Sequence, residues 1–203
     1  SLRLVRSSRK FSRTLGHIIK VDPFLISKTE VTWGQYQRCI EAGVCSNILR
    51  GGDCGNNRNA QRRGDPNIPV NCVTWDQART FAKWVGAEVD LPTEAQWEYA
   101  VTSAGQKINY PWGNDEVSCY NASIMGCDGG ANKVTSTCSQ PDGHSAQGVC
   151  DLIGNLAEWT LDETSFSDQK LLAYASDVHC LVPSCSGSCV SKRKGRVVRG
   201  GGI

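Results

Sequence analysis

Three stretches of the chain alternate polar and apolar positions with the period of an amphipathic helix, and each is preceded by the same four-residue signal. Thr32-Trp-Gly-Gln35, Thr74-Trp-Asp-Gln77 and Thr93-Glu-Ala-Gln96 all read Thr-x-x-Gln. In that pattern the threonine hydroxyl and the glutamine amide each satisfy a backbone N–H left free in the first helical turn. Apolar stripes follow at helical spacing: Trp33, Tyr36, Ile40; Trp75, Ala78, Ala82, Val85; and Trp97, Ala100, Val101. These signals predict helices over 32–42, 74–86 and 93–102. Strands are expected at 17–27 (HIIKVDPFLIS), near 157–161 and at 196–199 (RVVR). Between 103 and 155 the chain is rich in Gly, Asn, Asp and Ser, with turn signals every few residues. A loop region of that length inside a compact domain points to a functional or ion-stabilised segment. The expectation is an α+β domain with few helices, small antiparallel sheets and much irregular loop. No repeat and no low-complexity linker divides it.

Composition narrows the class. The chain has 203 residues, 39% of them hydrophobic, which suits a single globular core. No apolar run approaches the ~18 residues of a membrane span. Its 11 cysteines fall at 39, 45, 54, 72, 119, 127, 138, 150, 180, 185 and 189. Their density and short spacings suit disulfides that staple loops in an oxidising compartment, so a secreted, periplasmic or cell-surface location is expected. The odd number leaves at least one thiol free, liganded or paired outside the chain.

Charge is segregated. Residues 1–20 carry Arg3, Arg6, Arg9, Lys10, Arg13 and Lys20 with no acid, and residues 192–199 carry Lys192, Arg193, Lys194, Arg196 and Arg199, again with none. The body between them is acidic. No aromatic residues interleave with the basic ends as stacking platforms for a nucleic acid, so no nucleic-acid partner is expected. Pairing with the acidic body, or assembly with a neighbouring subunit through these ends, is the expected use.

Candidate chemistry is sparse. No glycine-rich phosphate loop, G-x-S-x-G or H-E-x-x-H occurs, and the histidines are His17, His144 and His179. The adjacent pair His144-Ser145 has no orienting acid, which argues against a hydrolase. The segment His179-Cys180-x4-Cys185-x3-Cys189 offers four zinc ligands, but its spacing is not that of a paired C-x2-C site, and disulfides are the expected state. The stretch Asp151-Leu-Ile-Gly-Asn155-Leu-Ala-Glu158 suits either an oxygen-ligand calcium site or an Asx-type turn entering a strand.

Six segments, in order, carry a resemblance. They are Phe24-Leu-Ile-Ser-Lys-Thr-Glu-Val-Thr32, Pro69-Val-Asn-Cys-Val-Thr-Trp75, Leu91-Pro-Thr-Glu-Ala-Gln-Trp-Glu-Tyr-Ala100, Tyr110-Pro-Trp-Gly113, Gly148-Val-Cys-Asp-Leu-Ile-Gly-Asn-Leu-Ala-Glu-Trp159 and Val198-Arg-Gly-Gly201. Together they resemble the formylglycine-generating-enzyme, or sulfatase-modifying-factor, domain from about residue 18 onwards. The resemblance implies a loop-rich variant of the C-type-lectin-like fold with bound calcium. It puts calcium ligands on the Asp151 side chain and on backbone carbonyls near Ile153, Gly154 and Leu156. A second family site would begin at Asn121, with Asp128 as its acidic partner.

The family's enzymes oxidise a substrate cysteine to formylglycine with molecular oxygen, using two cysteines that bind copper(I), an ion suited to soft thiolates. Those cysteines follow the R-G-G segment, and here Arg199-Gly-Gly-Gly-Ile203 closes the sequence. One domain over 1–203, lacking its C-terminal end, is therefore expected, with no catalytic residue among those present. Two departures also weigh against catalysis: Gly202 stands where the family has Ser, and Ala157 where it has Trp. The expected function is an extracytoplasmic, calcium-stabilised binding or structural module without its own catalysis. Residues 163–191 would be its surface for a protein or glycan ligand. The alternatives are a copper- and oxygen-dependent formylglycine-generating oxidase, and a subunit of a larger extracellular assembly.

Overall fold

The computed structural model describes residues 2–5, 20–48, 64–127, 134–164 and 195–201, and the fold below is that of these residues. Strand β1 (Leu2–Val5) pairs antiparallel with β2 (Phe24–Ser27), Val5 opposite Phe24. Helices α1 (Trp33–Glu41), α2 (Trp75–Val85) and α3 (Glu94–Val101) follow, then β3 (Gly154–Thr164) and β4 (Gly195–Gly201), which form a second antiparallel pair. Between α3 and β3 the regular structure is a 3-10 turn at Pro141–Gly143 and isolated bridges. The architecture is α+β, with small two-stranded sheets and long loops, as the turn-rich sequence implies.

All three helices begin as expected. Thr32, Thr74 and Thr93 are N-caps with complete capping boxes, each hydroxyl accepting from the backbone N–H of Gln35, Gln77 or Gln96 at 3.2–3.3 Å. Each glutamine Oε1 accepts from the cap's own N–H at 2.8–3.0 Å. A further donor of α1 is satisfied from outside the helix, since Trp33 N–H donates to the Ile68 carbonyl at 2.8 Å. The 66–70 segment lies so close to α1 that a Cβ at Gly34 would stand 2.8 Å from Cβ of Pro66, so position 34 has no room for a larger residue.

The largest apolar cluster joins Trp33, Tyr36 and Cys39 of α1 to Phe81 of α2, Ile68 and Val134. Tyr36 and Phe81 stack with centroids 5.8 Å apart. Helix α3 is buried on two sides. Trp97 and Ala100 pack on Val149 and Leu152, while Tyr99 packs on Val5 and Val21.

The structure differs from the pattern in three places. Val85, the last residue of α2, is 58% exposed, and Phe81, one turn earlier on the same side of the helix, is the buried apolar residue there. The expected strand at 17–27 is regular only over Phe24–Ser27 within the described residues; Pro23, which has no N–H to give to a ladder, immediately precedes it. Its partner β1 lies in the basic N-terminal stretch, where only Leu2, Leu4 and Val5 carry an apolar signal.

Disulfides join Cys39 to Cys45, Cys119 to Cys127, and Cys138 to Cys150, each closing a short loop. Cys72 is disulfide-bonded as well. Cys180, Cys185, Cys189 and His179 lie outside the described residues, as does 165–191 of the expected ligand surface. Among the described residues no helix is long and apolar enough to cross a membrane.

Candidate functional site

The segment Asp151–Glu158 leads into β3 through a turn that ordinary residues rarely adopt. Asp151, Gly154 and Asn155 all have positive φ, at 57°, 86° and 55°. Gly154 is required twice over, because a Cβ there would collide with the backbone of Ser123, which bridges it in parallel. Asn155 fixes the turn. Its N–H donates to the Ser123 carbonyl at 2.7 Å, and its Oδ1 accepts from Thr135 N–H at 3.0 Å. Its Nδ2 donates to Glu30 Oε2 at 2.8 Å. Asn155 is only 1% exposed, so this side chain is a buried linchpin.

Three carboxyl groups gather around the turn. Glu30 accepts from Asn155 Nδ2 and, through Oε1, from Leu156 N–H at 3.2 Å. Asp151 accepts from Cys138 N–H at 2.6 Å. Glu158 accepts from the Trp97 indole N–H at 3.1 Å. Burial raises Glu30 well above its usual value, the charges of Glu158 and Asp151 raise it further, and the bonds from Asn155 and Leu156 only partly offset this. Burial likewise pushes Glu158 up to about 7. Asp151 is raised by burial against the opposing pull of the Cys138 N–H and of His144. Burial is the first cause in each case, and repulsion between the acids adds to it.

Of the residues singled out in the sequence, Asp151, Ile153, Gly154 and Leu156 fall in this one turn. Asn121 does not point its side chain there: Oδ1 accepts from Ser118 N–H at 2.8 Å and Nδ2 donates to the Glu116 carbonyl at 3.1 Å. Asp128 lies outside the described residues. Glu158 stands in the acidic stretch read as a candidate calcium site, whereas Glu30 was not singled out, although it stands inside a quoted motif.

The strand partner of this turn carries Arg196 and Arg199, and both are paired. Arg199, opposite Glu158 in the ladder, bonds Glu94 and lies 3.8 Å from Glu98. Arg196 lies 3.3 Å from Glu163 and stacks over Trp75, 3.7 Å from its ring centroid. Ala157 is exposed, beside Gly201. An open pocket of about 220 Å³ is lined by Ser103, Gln106, Ile108, Trp112, His144 and Ala146, among others.

The fold and this turn define a sulfatase-modifying-factor scaffold, and comparison with known proteins agrees. The chain matches the sulfatase-modifying factor enzyme 1-like domain over residues 6–203 and belongs to that family. It is 35% identical to a hercynine oxygenase of Mycolicibacterium thermoresistibile over 98 residues, covering 47% of this chain and 21% of the relative. It is 32% identical to a formylglycine-generating enzyme of Thermomonospora curvata over 108 residues, covering 48% of this chain and 34% of the relative. It is also 31% identical to an inactive C-alpha-formylglycine-generating enzyme 2 of Bos taurus, over 51% of this chain and 36% of the relative. The chain thus spans well under half the length of each. In fold it is similar to PvdO from Pseudomonas aeruginosa (TM-score 0.57, 21% identity, 80% of this chain and 67% of that one). It is likewise similar to Treponema denticola variable protein 1 (TM-score 0.59, 20% identity, 80% and 73%).

Proposed function

We propose that this domain is a calcium-stabilised binding module that works outside the cytoplasm and carries no catalysis of its own. The observation that carries the reading is the set of carboxyl groups, buried Asp151 and the partly buried Glu30 and Glu158, around a turn of positive-φ residues. Left alone, these acids oppose one another. The oxygens of Asp151 and Glu158, with carbonyls of Ile153, Gly154 and Leu156, are hard donors of the kind calcium takes. Bound there, the ion would supply positive charge at the entry to β3 and lock the turn that starts the hairpin. Asn121 and Asp128 are proposed for a second calcium.

The disulfides support an oxidising location, and the exposed Ala157 supports a binding rather than an oxidase role. The family's aromatic wall is lost there, and a site that must hold oxygen and a thiol together tolerates such a loss poorly. Loop residues 163–191 are proposed as the surface for a protein or glycan partner. The test is incubation of the purified chain with a cysteine-containing sulfatase-motif peptide, copper and oxygen. No aldehyde is expected, and aldehyde formation overturns the reading.

One observation favours the second reading, a copper-dependent oxidase: the chain is 32% identical to a formylglycine-generating enzyme of Thermomonospora curvata over the 108 residues they share.

A further inference from the structure

Beside the carboxylate turn lies a second group of side chains with different chemistry. Cys138 and Cys150 are joined as a disulfide, and His144 sits within the loop that the bond closes. Ligand atoms of the three side chains lie within 4.8 Å of one another. Cys150 is buried, while Cys138 and His144 are partly exposed. The imidazole forms part of the wall of the open pocket beside Ser103 and Trp112, and its Nε2 is enclosed without a hydrogen-bond partner. A histidine packed on a disulfide, with one nitrogen unused, is a ligand set with one bond too many.

We infer that reduction of the Cys138–Cys150 bond converts this group into a zinc site built from two thiolates and His144. Zinc–sulfur bonds of ~2.3 Å and zinc–nitrogen bonds of ~2.0 Å in a tetrahedron place sulfurs ~3.8 Å apart and sulfur and nitrogen ~3.5 Å apart. Those separations fit inside the span the side chains already occupy once the sulfurs part. The fourth position is left to water.

The chemistry balances with a dithiol as reductant. Its thiolate attacks one cysteine sulfur, the Sγ–Sγ bond breaks, and the reductant leaves as its own cyclic disulfide. Two electrons and two protons pass to Cys138 and Cys150, and zinc then displaces both protons to solvent. The metal closes the loop that the covalent bond closed before; exchange with a small-molecule disulfide, which takes up the two electrons and leaves as two thiolates, re-forms the Sγ–Sγ bond and releases the zinc. The site is a redox-gated exchange of one cross-link for another.

The test uses the full chain, oxidised or reduced with a phosphine, which becomes its oxide with oxygen from water and adds no competing thiol. Zinc is titrated against a chromogenic chelator, and cobalt serves as a spectroscopic substitute. The reduced protein should take up an additional equivalent of zinc and show a thiolate-to-cobalt charge-transfer band. His144→Ala should weaken that equivalent by about tenfold or more, a loss that even outer-shell changes produce. Zinc held by other reduced cysteines is indifferent to His144, so this variant isolates the site. Removing both cysteines also removes a cross-link, so His144→Ala and His144→Gln, which keep it, carry the decision. Equal zinc uptake by oxidised and reduced protein, or unchanged affinity in both His144 variants, overturns the proposal.

Discussion

The α1–α2 region and the 134–158 region of this domain are organised by opposite means. Around α1, apolar side chains are buried against one another, and the polar groups at the helix ends are satisfied by neighbours three residues away. Around the Asp151–Glu158 turn, buried Leu152 and Val149 are accompanied by enclosed acids and an amide, whose partners come from distant parts of the chain. The first region gains stability from the solvent it excludes. The second is stable only so far as its charges are compensated. Stability of the two should therefore respond to different perturbations.

The largest expected effect lies in the apolar region. Tyr36→Ala removes a ring that is 1% exposed, stacked on Phe81, and whose hydroxyl donates to the Ser46 carbonyl at 3.1 Å. A loss of about 3–5 kcal/mol is expected in urea unfolding, equal with and without calcium. Calcium-dependent loss would show that the two regions are not energetically separate.

The next effect concerns pH. In calcium-free protein Glu158 has a folded value of about 7 against the usual 4.5. Below pH 4.5 it is protonated in both states and costs nothing. As pH rises towards 7 the unfolded chain ionises first, so stability falls, by on the order of 3 kcal/mol from this group. Glu30 is shifted the same way and steepens the slope. Glu158→Gln should flatten the curve between pH 4.5 and 7, and an unchanged slope would remove Glu158 from the account.

Calcium removal comes third. An ion that binds only the folded state, present at a hundred times its dissociation constant, adds about 2.7 kcal/mol. Exhaustive chelation should lower the melting temperature accordingly, and an unmoved melting curve eliminates the proposed calcium. The smallest effect is at a cap. Thr74→Ala should cost about 1 kcal/mol, independent of pH and calcium, because its partner is the N–H of Gln77.

The same contrast explains what could be read from the sequence. The helix starts were legible because a capping box is written within four consecutive residues. The irregular 103–155 region was legible from turn residues, and the glycine of the turn from its motif. Burial of Glu30 and Glu158 was not, since it depends on contacts such as Glu30 to Asn155, which bring distant segments together. Neither was the pairing of the C-terminal arginines. The sequence showed two basic ends, but the β3–β4 register decides that Arg199 meets Glu94 rather than solvent. Asp151 and Glu158 were legible as one acidic stretch, whereas the approach of Glu30 to it came only with the fold.

The β3–β4 pair has one more consequence. Within the described residues β3 runs to Thr164 and β4 begins at Gly195. Bonds on either side hold the pair in register: the Trp75 indole N–H to the Thr160 carbonyl at 2.7 Å, and Thr160 Oγ1 to the Val197 carbonyl at 3.0 Å. The register of the pair is thus keyed from two directions, by α2 through the Trp75 indole and by its own ladder through Thr160, so a single buried threonine couples a helix to both strands.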